Sequence, residues 1–251
     1  MALLGVESGR DVVVGGDRFT IADVVRGSLA EFRLDRELPW SLVAFALYLP
    51  PHAAWTNKHG QRYNVDQVCL TLCREQPGAG SCFGTHVPFA LAVVLAADTR
   101  QPTLSPEAKH AAVEWLREAV RRVRQSALPG GGWNASWSHE RSERNAHSSP
   151  ARASTTVTGH TLEWLALLPR ELSVEPILVD RGCAYLVEDI LDAPLARIGD
   201  RYSAYTHAGA ALRAWHPDAW EMVLAELEAG PGHAVSGASG GIVGARTPPE
   251  E

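Results

Sequence analysis

One pattern occurs three times in this sequence and governs the fold that we predict for it: GTHVPFALAVVL (residues 84–95), TGHTLEWLALLP (158–169) and YTHAGAALRAW (205–215). In each copy a leucine follows the histidine by five residues, and another apolar residue follows it by eight. This spacing places the large side chains on one stripe of an α-helix, with the histidine in its first turn. The pattern therefore predicts three apolar helices, each opened by a histidine.

The composition indicates a globular protein. The chain has 251 residues, of which 45% are hydrophobic and 21% charged, and its net charge is −6. That balance argues against nucleic acid as a partner, because phosphate binding needs a basic surface. Its four cysteines are irregularly spaced and do not form a dense disulfide framework.

The sequence also predicts the location of the protein. No basic flank precedes an apolar run at the N-terminus, so we expect no signal peptide. No stretch reaches the roughly 20 apolar residues that a membrane-spanning helix needs. We therefore expect a cytoplasmic protein, with export left open for a chain that continues upstream.

The sequence pattern predicts about nine helices and almost no strand. Residues 11–20 read as two short strands around a Gly-Gly turn, and Thr20 as the N-cap of the following helix. Ser105 and Pro106 are typical of another helix start. Residues 1–229 form one domain in this interpretation, and the glycine- and proline-rich residues 230–251 are a disordered tail.

Helices with the histidine pattern alternate with helices that are apolar on one face only. This alternation indicates an all-α protein with two layers of helices, which closes into an α/α toroid or curves as an α-solenoid. In a toroid the N-termini of the inner helices meet at one rim, so the three histidines would meet there too.

The segment VEWLREAVRRVRQSALPGGGW (113–133) resembles a known repeat. A helix, then Gln125, then a glycine turn ending in Trp133, is similar to the Q-to-G-x-W motif of squalene and terpenoid cyclases. These proteins and the protein prenyltransferase β subunits share the α/α toroid and are grouped as prenyltransferase/squalene-oxidase repeat proteins. The resemblance covers one repeat well, residues 105–137. The C-x-G-T-H and T-G-H-x-L-E-W phrases are similar to phrases of bacterial proteins of unassigned activity.

The resemblance also implies a chemistry to look for. The DxDD motif of squalene–hopene cyclase is absent. Protein prenyltransferases hold a zinc ion with an Asp-x-Cys pair and a later histidine, and this chain has Asp180 and Cys183 followed by His207. The pair is spaced D-x-x-C, one residue longer than in the family, although positions three apart still share a helix face.

Four residues are candidates for catalysis: His86, His160, His207 and Glu163. A helix N-terminus disfavours imidazolium, and neutral histidines act as bases, hydrogen-bond a sugar or carboxylate, or bind a metal. Glu163 follows His160 by three residues and would orient its ring or supply a carboxylate. In the alternative interpretation Thr85 and Thr206 are N-caps, the histidines belong to capping turns and Glu163 is a first-turn residue stabilised by the helix dipole.

Aromatic and amide side chains suggest where a ligand would bind. The segment after residue 126 carries Trp133, Asn134 and Trp137, which would suit a sugar or polar lipid, although Trp133 also fits a purely packing role. Trp55 and Tyr63 would line the same mouth or belong to a surface loop. Cys82 precedes His86 by four residues. It would either form a nucleophile pair with this histidine or be a buried free thiol.

These patterns predict a histidine-lined cavity that binds a small molecule, isoprenoid-like or glycan, with or without transforming it. Zinc is the one cofactor that they suggest. The competing hypothesis is a non-catalytic scaffold that presents its concave helical face to a protein partner.

Overall fold

The computed structural model describes residues 5–139, 154–218 and 221. The described part contains nine α-helices: α1 (Ile21–Glu31), α2 (Leu38–Tyr48), α3 (Val65–Leu72), α4 (His86–Arg100), α5 (Pro106–Ser126), α6 (Thr155–Leu165), α7 (Pro176–Leu191), α8 (Leu195–Asp200) and α9 (Tyr202–Trp215). It also contains four short strands: β1 (Asp11–Val14), β2 (Asp17–Thr20), β3 (Ala54–Thr56) and β4 (Arg62–Asn64). The prediction of a mostly helical protein is confirmed.

Local sequence signals set several of the helix starts. Thr20 caps α1 as predicted: its hydroxyl accepts the N–H of Asp23, whose carboxylate accepts the N–H of Thr20. Asn64 caps α3 by the same reciprocal arrangement with Gln67. The hydroxyl of Ser105 accepts the N–H of Ala108 at the start of α5. Each of these side chains bonds to N–H groups that a helix leaves without an internal partner.

The strands form two separate antiparallel hairpins. β1 pairs with β2 across a turn at Gly15 and Gly16, as predicted for residues 11–20. β3 pairs with β4 in a second short ribbon. Both glycines of the first turn have positive φ, which only glycine adopts without steric cost.

Four helices form a continuous series of contacts that we call the central row: α2, α4, α6 and α9. The most extensive helix contacts are those of α6 with α9 and of α2 with α4, and α4 also packs against α6. The other long helices flank the row, with α3 on α2, α5 on α4, and α7 on both α6 and α9. The leucines of the repeated pattern are buried within the row: Leu91, Leu165 and Leu212.

The short helix α8 was not predicted, since its six residues carry no clear apolar period. The disordered tail predicted at residues 230–251 lies entirely outside the described residues. No helix in the described ranges is long and apolar enough to cross a membrane.

A buried carboxylate at the end of α4 fixes the connection to α5. Asp98 is 5% exposed and accepts the N–H groups of Thr103 and Leu104 at 2.8 and 2.9 Å. Its other oxygen lies 2.8 Å from Nζ of Lys109. Burial acts to raise the pKa of Asp98, but these hydrogen bonds outweigh it and hold the pKa below its ordinary value.

Replacing this carboxylate should destabilise the fold. We expect Asp98→Ala to lower the free energy of unfolding by about 2–4 kcal/mol, because two buried N–H groups lose their acceptor. Urea denaturation at pH 7 measures the loss, and Asp17→Ala, at an exposed position, is the control.

The free energy of unfolding that Asp98→Ala loses should also depend on pH. A depressed pKa gives stability that is present above the unfolded-state value, about 4, and is lost as the pH falls through the folded-state value. The difference between wild type and Asp98→Ala should therefore shrink below about pH 4. A difference that stays constant down to pH 2 would contradict the assigned role.

Candidate functional site

The three histidines of the repeated pattern lie together. The ring centroids of His160 and His207 are 3.7 Å apart, and those of His86 and His160 are 5.3 Å apart. The rings come from α4, α6 and α9, three successive helices of the central row. His160 lies in the middle with 3% of its side chain exposed, compared with 12% for His86 and 26% for His207.

The positions of the histidines on their helices correct the sequence interpretation. His86 is the first residue of α4, but His160 and His207 are the sixth residues of α6 and α9. The helices begin earlier because Ser154 caps α6 and the chain enters α9 directly from α8. The first-turn placement was therefore wrong for both residues, and so was the first-turn alternative for Glu163. A helix N-terminus does not account for the protonation state of His160.

The capping alternative is also wrong in its details. Thr85 occupies the N-cap position of α4, yet its hydroxyl donates to the carbonyl of Cys82 and caps no helix N–H. Thr206 lies inside α9, where its hydroxyl donates to the carbonyl of Ser203. Neither threonine hydroxyl supports a role of the histidines in capping.

A close approach of two helices brings two of the histidine rings into contact. A Cβ atom on Gly159 would lie 2.9 Å from the backbone nitrogen of Ala208 and 3.0 Å from the carbonyl carbon of His207. Only glycine therefore allows α6 to come this near to α9. Because His160 and His207 adjoin this contact, their ring centroids come within 3.7 Å, with the ring planes tilted by 37°.

Two carboxylates orient the three rings. Oε2 of Glu163 lies 2.9 Å from Nδ1 of His207 and 3.3 Å from Nδ1 of His160. Oε1 of Glu37, the residue before α2, lies 2.8 Å from Nδ1 of His86. Carboxylates at the Nδ1 atoms favour the tautomers that carry the proton there, which leaves lone pairs on the three Nε2 atoms.

Burial and hydrogen bonding set the charges within the cluster. Burial lowers the pKa of His160 below its ordinary value, and the nearby His207 acts in the same direction, against the opposing effect of Glu163. Burial alone would raise the pKa of Glu163, but the hydrogen bonds with His160 and His207 outweigh it, so this pKa is lowered. At neutral pH the site therefore holds a neutral His160 beside an ionised Glu163.

Cys82 completes the cluster from an unusual backbone turn. Cys82 and Phe83 have φ values of 49° and 59°, which residues with a side chain rarely adopt, and Gly84 follows at 74°. Such conformations cost of order 1–3 kcal/mol each and persist only where the surroundings impose them. Ligand atoms of Cys82, His86 and His160 all lie within 4.8 Å of one another.

The tryptophans predicted to bind ligand hold the framework instead. Trp133 is fully buried, donates its indole N–H to the carbonyl of Val123 and packs on Gly182. Trp137 is also fully buried and donates to the carbonyl of Phe83, in the turn that carries Cys82. Trp133 thus has the packing role that the sequence left open for it, and neither indole ring is accessible to a ligand in this structure. Asn134 is half-buried, and its side-chain carbonyl accepts the N–H of Ser136 in a local turn.

Trp55 and Tyr63 belong to a different part of the molecule. They pack edge to face with Phe32, with ring centroids 5.3 and 5.0 Å from it, and Phe45 adjoins Trp55 at 4.9 Å. Each is only 8% exposed. This aromatic core joins α1, α2 and the second hairpin, so the prediction that these residues line the mouth of the site was wrong.

The predicted zinc ligands Asp180, Cys183 and His207 do not come together. The carboxylate of Asp180 lies 3.2 Å from Nε2 of His216, and the ring of His207 faces Glu163. Cys183 is buried, and burial raises the pKa of its thiol to about 12. Among the described residues, Asp180 and Cys183 belong to neither group of potential metal ligands.

Two pockets of the described structure are lined by residues outside the histidine cluster. One of about 550 Å³ is lined by residues that include Thr155, Asp189 and Arg197. Another of about 410 Å³ is lined by residues that include Tyr202 and Arg213. Neither pocket contains His86, His160 or His207, so the histidines form a packed cluster and do not line either cavity.

Sequence reasoning missed two neighbours of the cluster. Glu37 looked like one of several surface charges before α2, and no local signal marks its contact with His86. The ring of Trp40, 41% exposed, lies 5.0 Å from that of His86. In the sequence Trp40 is one apolar residue of an apolar helix, so no local pattern marks its contact with His86.

Comparisons with known proteins do not extend this picture. No protein-family model, curated protein or solved structure matches the chain. The resemblance to cyclase and prenyltransferase repeats therefore stays a prediction, and the function has to be argued from the site geometry.

The close contact at Gly159 gives a direct prediction. Gly159→Ala should lower the free energy of unfolding by about 1–3 kcal/mol, because the new methyl group meets backbone atoms that cannot rotate away. Gly27→Ala, at a helical position where a Cβ meets no atom within 4 Å, should leave the stability unchanged or raise it by up to about 1 kcal/mol. Urea denaturation of both variants is the measurement, and equal stabilities would contradict the packing described.

Proposed function

We propose that this protein binds a small molecule at the histidine cluster and acts on it with His207 as general base. The paired helices belong, in this proposal, to a small α/α toroid of the kind that the repeat at residues 105–137 resembles. The alternation of a central row with flanking helices supports that architecture. An isoprenoid-like or glycan substrate is the class suggested by the resemblance.

The contact between Glu163 and His207 carries the proposal. Oε2 of Glu163 lies 2.9 Å from Nδ1 of His207, so the carboxylate holds the proton on that nitrogen and leaves Nε2 as a proton acceptor. A carboxylate that orients a histidine and stabilises its protonated form is the arrangement by which hydrolases activate a histidine base. The lowered pKa of Glu163 keeps it ionised for this role.

The exposure of the rings supports His207 as the histidine that meets a substrate. His207 is 26% exposed, whereas His160 is almost completely buried beneath it. His207 is thus the ring of this pair that a molecule in solution reaches. His160 contacts it from the interior and lies beside the same carboxylate, so we assign His160 the role of a positioning residue.

An exposed aromatic surface adjoins the cluster on its other side. Trp40 is 41% exposed and packs against both His86 and the ring of Phe89, whose centroid is 5.7 Å away. Such a surface suits the apolar face of a sugar ring or an isoprenyl chain. In this proposal the surface at Trp40 binds the ligand, a role that Trp133 and Trp137 do not fill because both are buried.

A protein-interaction scaffold remains the second candidate, and one observation favours it. The face formed by α7 to α9 exposes large apolar side chains next to the 410 Å³ pocket: Leu191, Leu195 and Tyr202. Exposed apolar patches often mark surfaces that bind another protein. This face is formed by residues outside the histidine cluster, so the two candidates are separable by mutation.

The test is a turnover assay with a panel of isoprenyl diphosphates and oligosaccharides. For any compound converted by the wild type, His207→Ala should lower kcat by about 10²–10⁴-fold, as expected for the loss of a general base. The KM should change much less, because binding contacts elsewhere are retained. Glu163→Gln should lower kcat in the same direction.

His110→Ala, at an exposed position on α5, is the matched control and should keep full activity. Turnover that survives in His207→Ala would rule out the proposed base. Conversion of no compound, together with a stable protein complex that Leu195→Asp abolishes, would favour the scaffold.

A further inference from the structure

Cys82, His86 and His160 form a group of potential ligands that the proposed base does not use. Their ligand atoms lie within 4.8 Å of one another, at the junction of α4, α6 and the left-handed turn before α4. We infer that these three side chains bind a zinc ion. The inference goes beyond the proposed function, because metal binding requires neither His207 nor a substrate.

The hydrogen bonds of the two histidines leave suitable donor atoms. Nδ1 of His86 is paired with Glu37 at 2.8 Å, and Nδ1 of His160 lies 3.3 Å from Glu163. Nε2 is therefore the nitrogen that each ring has available for a metal. Metal-binding histidines in proteins almost always donate their other N–H to a carboxylate, carbonyl or water, and both rings already have that carboxylate.

The buried Nε2 atom of His160 lacks a hydrogen-bond partner in the described part of the chain. His160 is 2% exposed, and its Nε2 has no hydrogen-bond partner among the described residues. Buried polar atoms in proteins nearly always have a partner, so each exception calls for an explanation such as an ion. A metal bound to Nε2 would supply the partner that this atom lacks.

The backbone at Cys82 is held in position for such a site. The indole N–H of Trp137 donates to the carbonyl of Phe83 at 2.8 Å. A Cβ on Gly84 would lie 2.3 Å from the carbonyl carbon of Gly78, so the turn is packed against its own loop. These contacts maintain the positive φ of Cys82 and keep its thiol beside the two rings.

The ligand types select the metal. A thiolate with two imidazoles is typical of zinc, and three protein ligands leave the fourth tetrahedral position open for water or substrate. The thiol proton of Cys82 passes to solvent when the Cys82–zinc bond forms. The other close group, His160 with Glu163 and His207, is explained by its hydrogen bonds and needs no metal.

Cobalt titration of the full-length chain tests the inference. The protein is stripped with a chelator and titrated with Co²⁺, which gives a thiolate-to-metal absorption band in the near ultraviolet when a cysteine binds it. We expect one equivalent of Co²⁺, displaced by Zn²⁺. Cys82→Ser should abolish the band, and Cys183→Ser should keep it.

A second variant covers the case in which Cys82→Ser does not fold. Glu37→Gln removes the carboxylate behind His86 at a position where the side chain is 47% exposed. It should weaken Co²⁺ binding by about 10–100-fold, as loss of such outer contacts does in zinc proteins. Circular dichroism establishes that each variant is folded.

The outcomes separate this inference from the proposed function. His207→Ala should bind one equivalent of Co²⁺ with the band intact, even though it loses turnover. No Co²⁺ binding by the wild type, or a band that persists in folded Cys82→Ser, would overturn the zinc site. A band that Glu37→Gln leaves at wild-type affinity would also count against it.

Discussion

The arrangement of this molecule depends on one largely buried carboxylate shared by two helices. Glu163, 15% exposed, lies within hydrogen-bonding distance of His207 on the neighbouring helix and close to His160 on its own. A buried charge of this kind is stable only with such partners, so the contact fixes how α6 and α9 face each other. Gly159 makes the contact possible, because any larger residue would meet the backbone of α9.

The central row converts this local contact into a cluster. α4 also packs against α6, and brings His86 and the turn with Cys82 to the buried ring of His160. His160 thus lies between two different environments. On one side it shares a carboxylate with a partly exposed His207, which suits proton transfer, and on the other it adjoins a thiol and a second imidazole, which suits a metal.

Local signals predicted the secondary structure where they dominate. The capping residue Thr20 and the Gly-Gly turn of the first hairpin act within a few residues, so the sequence was sufficient there. The repeated pattern led to three histidines that do lie together, although the helices of His160 and His207 start earlier than predicted because Ser154 and the preceding α8 set their starts.

Long-range packing decided the features that sequence reasoning missed. Tryptophans in a polar segment looked accessible, yet Trp133 and Trp137 fill space between helices that are distant in sequence. The contact of Glu37 with His86 spans 49 positions, and the left-handed backbone at Cys82 depends on packing with Gly78 and Trp137. Neither feature has a local pattern, because both result from tertiary contacts.

A crystal structure of the chain grown with zinc, with diffraction recorded on both sides of the zinc absorption edge, tests the central claim most directly. The account predicts one anomalous peak about 2.0–2.3 Å from a sulfur of Cys82 and from one nitrogen each of His86 and His160. A zinc peak at other residues, or a structure with no zinc peak at these three side chains, would contradict it.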